Sequence, residues 1–159
     1  MTLEVGLNNS IGNGSVNRGA SVFWYLAGLC LIAVDQALKL AAFSRAFVST
    51  SSGWLYLTQF KNAQFAFSVP LPAGLIYIIY ALVLGVLIIY VYRNYVGFRL
   101  ANYMAWTLIF AGSLSNIGER IALGYVRDFI YFYGGGIFNT ADIYIVLGVL
   151  ILILGTRKK

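Results

Sequence analysis

Histidine is absent from this sequence and cysteine occurs once, as Cys30. That excludes His-activated nucleophiles, thiolate metal clusters, most zinc chemistry and an intramolecular disulfide. Cys30 sits within an apolar run and is expected to be buried filler. Any catalysis must therefore fall to carboxylates, and two of them stand out. Asp128 follows the third of four apolar stretches, and Asp142 lies about one turn into the fourth. Between them Gly134-Gly135-Gly136 supplies a flexible turn that lets the chain fold back and bring the two together. Two carboxylates in one site hold a single proton between them. One then acts as base on a water while the other protonates a scissile carbonyl oxygen. The same spacing also fits two interface aspartates with separate basic partners, or an ion or proton pathway.

Ionisable groups in or beside spanning segments cost about 2.5–3.5 kcal/mol each, so they usually carry a function or a partner. Asp35 and Lys39 stand four apart, acid before base, the favourable order for an ion pair along a helix. A structural pair is the simpler reading, since the lysine would hold the aspartate ionised. Asn116 and Arg120 share a helix face, with Glu119 partly to one side. The planar fork of Arg120 suits a carbonyl, phosphate or carboxylate; a salt bridge to Glu119, Asp128 or a lipid phosphate fits equally well.

The elements that must position these groups are read from composition. Of 159 residues, 60% are hydrophobic and only 10% charged, too few charges to cover a water-facing surface. Four stretches reach the roughly 20 apolar residues that a spanning helix needs: Ser21 to Phe43, Ala73 to Tyr92, Leu100 to Leu123 and Phe138 to Leu154. Between the first two, Trp54-Leu55-Tyr56-Leu57-Thr58-Gln59-Phe60 is aromatic and rich in strand formers. The expected fold is an all-α membrane protein with four transmembrane helices and a small extracytoplasmic β-sheet or hairpin between helices 1 and 2. Residues 1–20 are expected to be a disordered cytoplasmic tail, 21–156 the membrane domain and 157–159 a basic cytoplasmic tail. Arg18, Arg93, Arg99, Arg157, Lys158 and Lys159 would share the side of both termini, against Lys39, Arg45, Lys61, Arg120 and Arg127 opposite. The concentrated basic C-terminus favours cytoplasmic termini. The net charge of +6 is scattered and forms no nucleic-acid patch.

Five blocks resemble those of the lipoprotein signal peptidase (signal peptidase II) family, in the family's order. Asp35-Gln36-Ala37-Leu38-Lys39 resembles Asp-x-x-x-Lys, and Asn62-Ala63-Gln64-Phe65-Ala66-Phe67-Ser68 resembles Asn-x-Gly-x-Ala-Phe. Ser115-Asn116-Ile117-Gly118-Glu119-Arg120 resembles Gly-Asn-x-x-Asp-Arg. Gly124-Tyr125-Val126-Arg127-Asp128-Phe129-Ile130 resembles Gly-x-Val-x-Asp-Phe, and Phe138-Asn139-Thr140-Ala141-Asp142 resembles Phe-Asn-x-Ala-Asp. Gln64 and Ser115 stand where that pattern has glycine, and Glu119 where it has aspartate.

The resemblance implies an aspartic endopeptidase with Asp128 and Asp142 as catalytic dyad. It implies that Asn62, Asn116, Arg120 and Asn139 surround the substrate and that Asp35 and Lys39 support the site. The substrate would be a prolipoprotein whose cysteine already carries diacylglycerol, cut on the amino side of that cysteine. It implies no metal and no organic cofactor. Partners would be that precursor and membrane lipid, not nucleic acid, and the enzyme would act as a monomer in the bacterial cytoplasmic membrane, with its site near the outer leaflet. The altered Gln64 and Glu119 leave a second reading, a catalytically impaired relative that binds lipoproteins or lipid without cutting. A transporter would instead need charges spaced through the membrane depth.

Overall fold

The computed structural model describes residues 18–44, 51–63, 72, 74, 75, 78, 79, 81, 82, 84, 85, 88, 89 and 100–156. In chain order these form α1 (Arg18–Ala42), β1 (Ser51–Ser52), β2 (Leu55–Asn62), α2 (Leu100–Leu123), β3 (Val126–Phe132), β4 (Gly136–Phe138) and α3 (Thr140–Thr156). Half of the second expected helix, Ala73 to Tyr92, lies outside the described residues; those of its positions that are described are helical. The basic tail at 157–159, the connection carrying Arg93 and Arg99, and Gln64 also lie outside them. Helix α1 begins at Arg18, so positions 18–20 of the expected tail are helical.

Helix α1 holds a 21-residue stretch, Val22–Ala42, long and apolar enough to cross a membrane, and Thr140–Gly155 is apolar but shorter. Large apolar side chains point outward: Leu29, Leu40, Val146 and Leu154 are all exposed. Charged ones point inward: Asp35 and Lys39 are 0% exposed. Such an inverted distribution suits hydrocarbon as solvent, where the polar groups must find one another inside. Cys30 departs from expectation. It is exposed on α1 rather than buried, because the face of α1 that turns inward is the one bearing Asp35 and Lys39.

Helices α2 and α3 pack closely through small residues. A Cβ on Gly112 would sit 2.4 Å from the Ala141 carbonyl oxygen, and one on Gly148 would sit 2.6 Å from that of Ala105. Close backbone approach of this kind is how helices associate where no water is present to drive them together. On the other flank of α2, Trp24 of α1 stacks on Tyr103 with ring centroids 6.4 Å apart.

The sheet is larger than expected. It has four strands in the order β1-β2-β3-β4, all neighbours antiparallel, so it draws on the connection between α2 and α3 as well as the one after α1. The missed strand Val126–Phe132 is a β-branched and aromatic run bounded by Gly124 and Gly134, both at positive φ. Gly124 ends α2, its amide donating to the Arg120 carbonyl at 3.0 Å in the left-handed conformation that glycine adopts without strain. Gly134 opens the turn that pairs β3 with β4.

The β2–β3 pairing contains a bulge. Leu57 faces Ile130, but Phe60 faces Asp128 and Asn62 faces Val126. Side chains alternate faces along a strand, so the additional residue reverses parity. Without it Asn62 would point to the opposite face; with it, Asn62 shares a face with Val126 and Asp128.

Candidate active site

The sheet and the start of α3 bring Asp128 and Asp142 to one place. Asn139, immediately before α3, forms a reciprocal cap with Asp142. The Asp142 amide donates to Asn139 Oδ1 at 3.1 Å, and the Asn139 amide donates to Asp142 Oδ2 at 3.1 Å. This is the capping-box arrangement with asparagine and aspartate in its two positions. It fixes the carboxylate of Asp142 at the helix N-terminus, where backbone N–H groups favour negative charge. The Nδ2 of the same Asn139 donates to Asp128 Oδ1 at 2.6 Å. One residue therefore holds both carboxyl groups.

The remaining oxygens are also engaged. Asn62 Nδ2 donates to Asp128 Oδ2 at 2.9 Å, and Asn116 Nδ2 donates to Asp142 Oδ1 at 2.9 Å. Asp128 is 2% exposed. Burial raises its pKa from 3.8 to about 6; the amides of Asn62 and Asn139 oppose the shift, the charge of Asp142 adds to it, and Lys39 draws it down. A carboxyl group in that range holds a proton in mildly acidic conditions, as an acid–base partner needs.

Beneath the pair lies a charge network. Lys39 Nζ is 2.8 Å from Asp35 Oδ2 and 3.1 Å from Glu119 Oε2, and it donates to Asn116 Oδ1 at 2.8 Å. These contacts use all three ammonium protons and orient the Asn116 amide so that its NH2 faces Asp142. The other oxygen of Asp35 accepts from the Ala141 amide at 2.8 Å, a first-turn donor of α3. Glu119 is bound by Arg127 as well, through Nε at 2.6 Å and the backbone amide at 3.0 Å. So Glu119 pairs with Lys39 and Arg127. Arg120, 7% exposed, sits one residue on in the last turn of α2.

All eight singled-out residues thus lie in or beside one polar cluster, and the i,i+4 pair of Asp35 and Lys39 forms as its spacing suggests. The three asparagines expected around a substrate have their amides on the aspartates. Sequence reasoning missed Gln36, Ser115 and Arg127. The Ser115 hydroxyl, at a position where the family pattern has glycine, donates to Asp35 Oδ2 at 2.6 Å. The available signal was that Gln36 and Ser115 are polar residues within apolar helices. Among the described residues no group of three or more His, Cys, Asp or Glu side chains gathers to hold a metal ion.

Comparison with known proteins agrees in sequence and in fold. The family described as signal peptidase (SPase) II matches residues 27–157. Proteins named lipoprotein signal peptidase are similar along most of their length. The Fusobacterium nucleatum protein is 29% identical over 91% of this chain and 94% of its own. The Halothermothrix orenii protein is 33% identical over 82% and 92%, and that of Chlorobaculum tepidum 33% over 85% and 94%. A bacterial membrane enzyme solved in meso at 2.3 Å resolution superposes with a TM-score of 0.72 at 26% identity, covering 86% of this chain and 88% of the other. A second, solved at 1.9 Å, gives 0.70. The family match over residues 27–157, with relatives alike along most of their length and a shared fold, makes this chain a member of the signal peptidase II family of bacterial membrane proteases.

Proposed function

We propose that the protein is a membrane aspartic endopeptidase that removes signal peptides from diacylglyceryl-modified prolipoproteins, cutting on the amino side of the lipidated cysteine. Asp128 and Asp142 share one proton. The ionised member takes a proton from a water as that water attacks the scissile carbonyl carbon, while the protonated member gives its proton to the carbonyl oxygen. Collapse of the tetrahedral intermediate breaks the C–N bond. The proton taken from water passes to the leaving amine, and the proton on the intermediate's oxygen returns to the dyad. The observation that carries this reading is the double hold of Asn139 on both carboxyl groups.

Asn62, Asn116 and Asn139 orient the dyad, Arg120 lines the substrate site, and Asp35 and Lys39 support it. Four spans, Ser21 to Phe43, Ala73 to Tyr92, Leu100 to Leu123 and Phe138 to Leu154, would put both termini in the cytoplasm and the sheet at the outer leaflet. Acyl chains then stay in the bilayer while the peptide enters beneath β2. The protein acts as a monomer. Nothing favours the catalytically impaired relative: Gln64 lies outside the described residues, and Glu119 is bonded on both oxygens.

Asp142→Asn tests the dyad. Mixed with a lipid-modified precursor, the purified variant is expected to give no smaller product while expressing and inserting normally. Retained cleavage overturns the reading.

A further inference from the structure

Arg127 precedes Asp128 on β3, and Ala141 precedes Asp142 on α3. A single line of hydrogen bonds joins these two neighbours through the interior. Arg127 Nη2 donates to Gln36 Oε1 at 2.9 Å, Gln36 Nε2 to Ser115 Oγ at 2.8 Å, and Ser115 Oγ to Asp35 Oδ2 at 2.6 Å. The Ala141 amide closes it on Asp35 Oδ1 at 2.8 Å. From Arg127 to Asp35 every donor points the same way, from a guanidinium at one end to a carboxylate at the other. Such a chain polarises each of its members and strengthens them together. A parallel arm runs from Arg127 through Glu119 and Lys39 to the same Asp35, so the two arms form a closed ring beneath the dyad.

We infer that Gln36, Ser115 and Arg127 are positioning residues of this enzyme, whose hydrogen-bonded chain sets the spacing of the two aspartates by tying strand β3 to the first turn of α3. Gln36 and Arg127 fall on open positions of their blocks, and Ser115 stands where the pattern has glycine. A glycine there has no hydroxyl to receive Gln36 or to reach Asp35, so the arm depends on the serine this chain carries. None of the three touches the dyad carboxyl groups in the structure, which makes their effect indirect. The inference rests on the proposed dyad.

The test uses the full-length protein and a diacylglyceryl-modified precursor, with kcat and KM measured separately and normalised to folded enzyme. Ser115→Ala cuts the chain in the middle and is expected to lower kcat about tenfold while KM stays within about twofold. Gln36→Met cuts the same chain from α1 and is expected to do the same; it carries the test if Ser115→Ala does not fold. The double variant is expected to be no slower than the slower single, because a chain broken twice is no more broken. A wild-type kcat in the variants, a loss confined to KM, or multiplicative effects in the double variant would each overturn the inference. Asp142→Asn, run alongside, keeps the two ideas apart. An active Asp142→Asn removes the dyad itself; an inactive one beside fully active Ser115→Ala and Gln36→Met removes only the chain.

Discussion

Helix α2 contains two stretches that hold the molecule together by opposite means. Over 105–112 it is apolar and close-fitting: Ala105, Ile109 and Gly112 meet Gly148, Ile145 and Ala141 of α3 with no room for a further methyl group. Over 115–120 it is polar and buried, and Ser115, Asn116 and Glu119 are tied into the network around Lys39. The first stretch depends on shape and the second on every charge having its partner. Ala141 belongs to both, its carbonyl against Gly112 and its amide on Asp35. Close packing at one end of α2 therefore bears on the geometry of the proposed dyad at the other.

Breaking the polar stretch should cost most. Lys39→Met leaves Asp35 and Glu119 without their shared cation, and removal of one partner from a buried ion network typically costs about 3–5 kcal/mol. Unfolding in detergent measures it, and a loss below about 1 kcal/mol would mean that the network is not carrying the fold there.

The next effect isolates one buried carboxyl. The folded pKa of Asp128 is raised from 3.8 to about 6, so the folded state keeps its proton longer than the unfolded chain. The stabilisation is complete below about pH 4 and is lost as pH rises through about 6, a change of about 3 kcal/mol at most. Asp128→Asn lacks this titration and should gain on the wild type over that window. An unfolding-temperature difference between the two that stays constant with pH would show that burial does not raise this group.

The apolar stretch should respond more mildly. Gly112→Ala places a methyl carbon 2.4 Å from the Ala141 carbonyl oxygen unless a backbone moves. Overpacking of this kind costs about 1–3 kcal/mol. The shift passes to Asp142, so kcat should fall along with stability. A stable but slow Gly112→Ala would sharpen the comparison, showing that the close fit serves the site more than the fold.

Much of this was legible in advance. Helix α2 runs over Leu100–Leu123, the limits its apolar pattern suggests, and Asp35 pairs with Lys39 because their spacing is local to one helix. Elimination left carboxylates as the groups for any catalysis, once histidine and paired cysteines were absent, and the choice of Asp128 and Asp142 came from the resemblance to the signal peptidase II family. The strands Val126–Phe132 and Gly136–Phe138 were not legible as such, since a short apolar run between two helices becomes a strand only when β2 offers it a partner.

From its residue types alone, this sequence pointed to hydrocarbon as solvent, to the three helices described in full and to carboxylates as the groups left for any catalysis. Those depend on composition and on periodicity within single segments. Tertiary structure decided the rest: a bulge that turns Asn62 toward Asp128, an asparagine that grips both acids, and a hydrogen-bonded line from Arg127 to Ala141. Each joins side chains far apart in sequence, and their meeting is set by how strands register and helices approach.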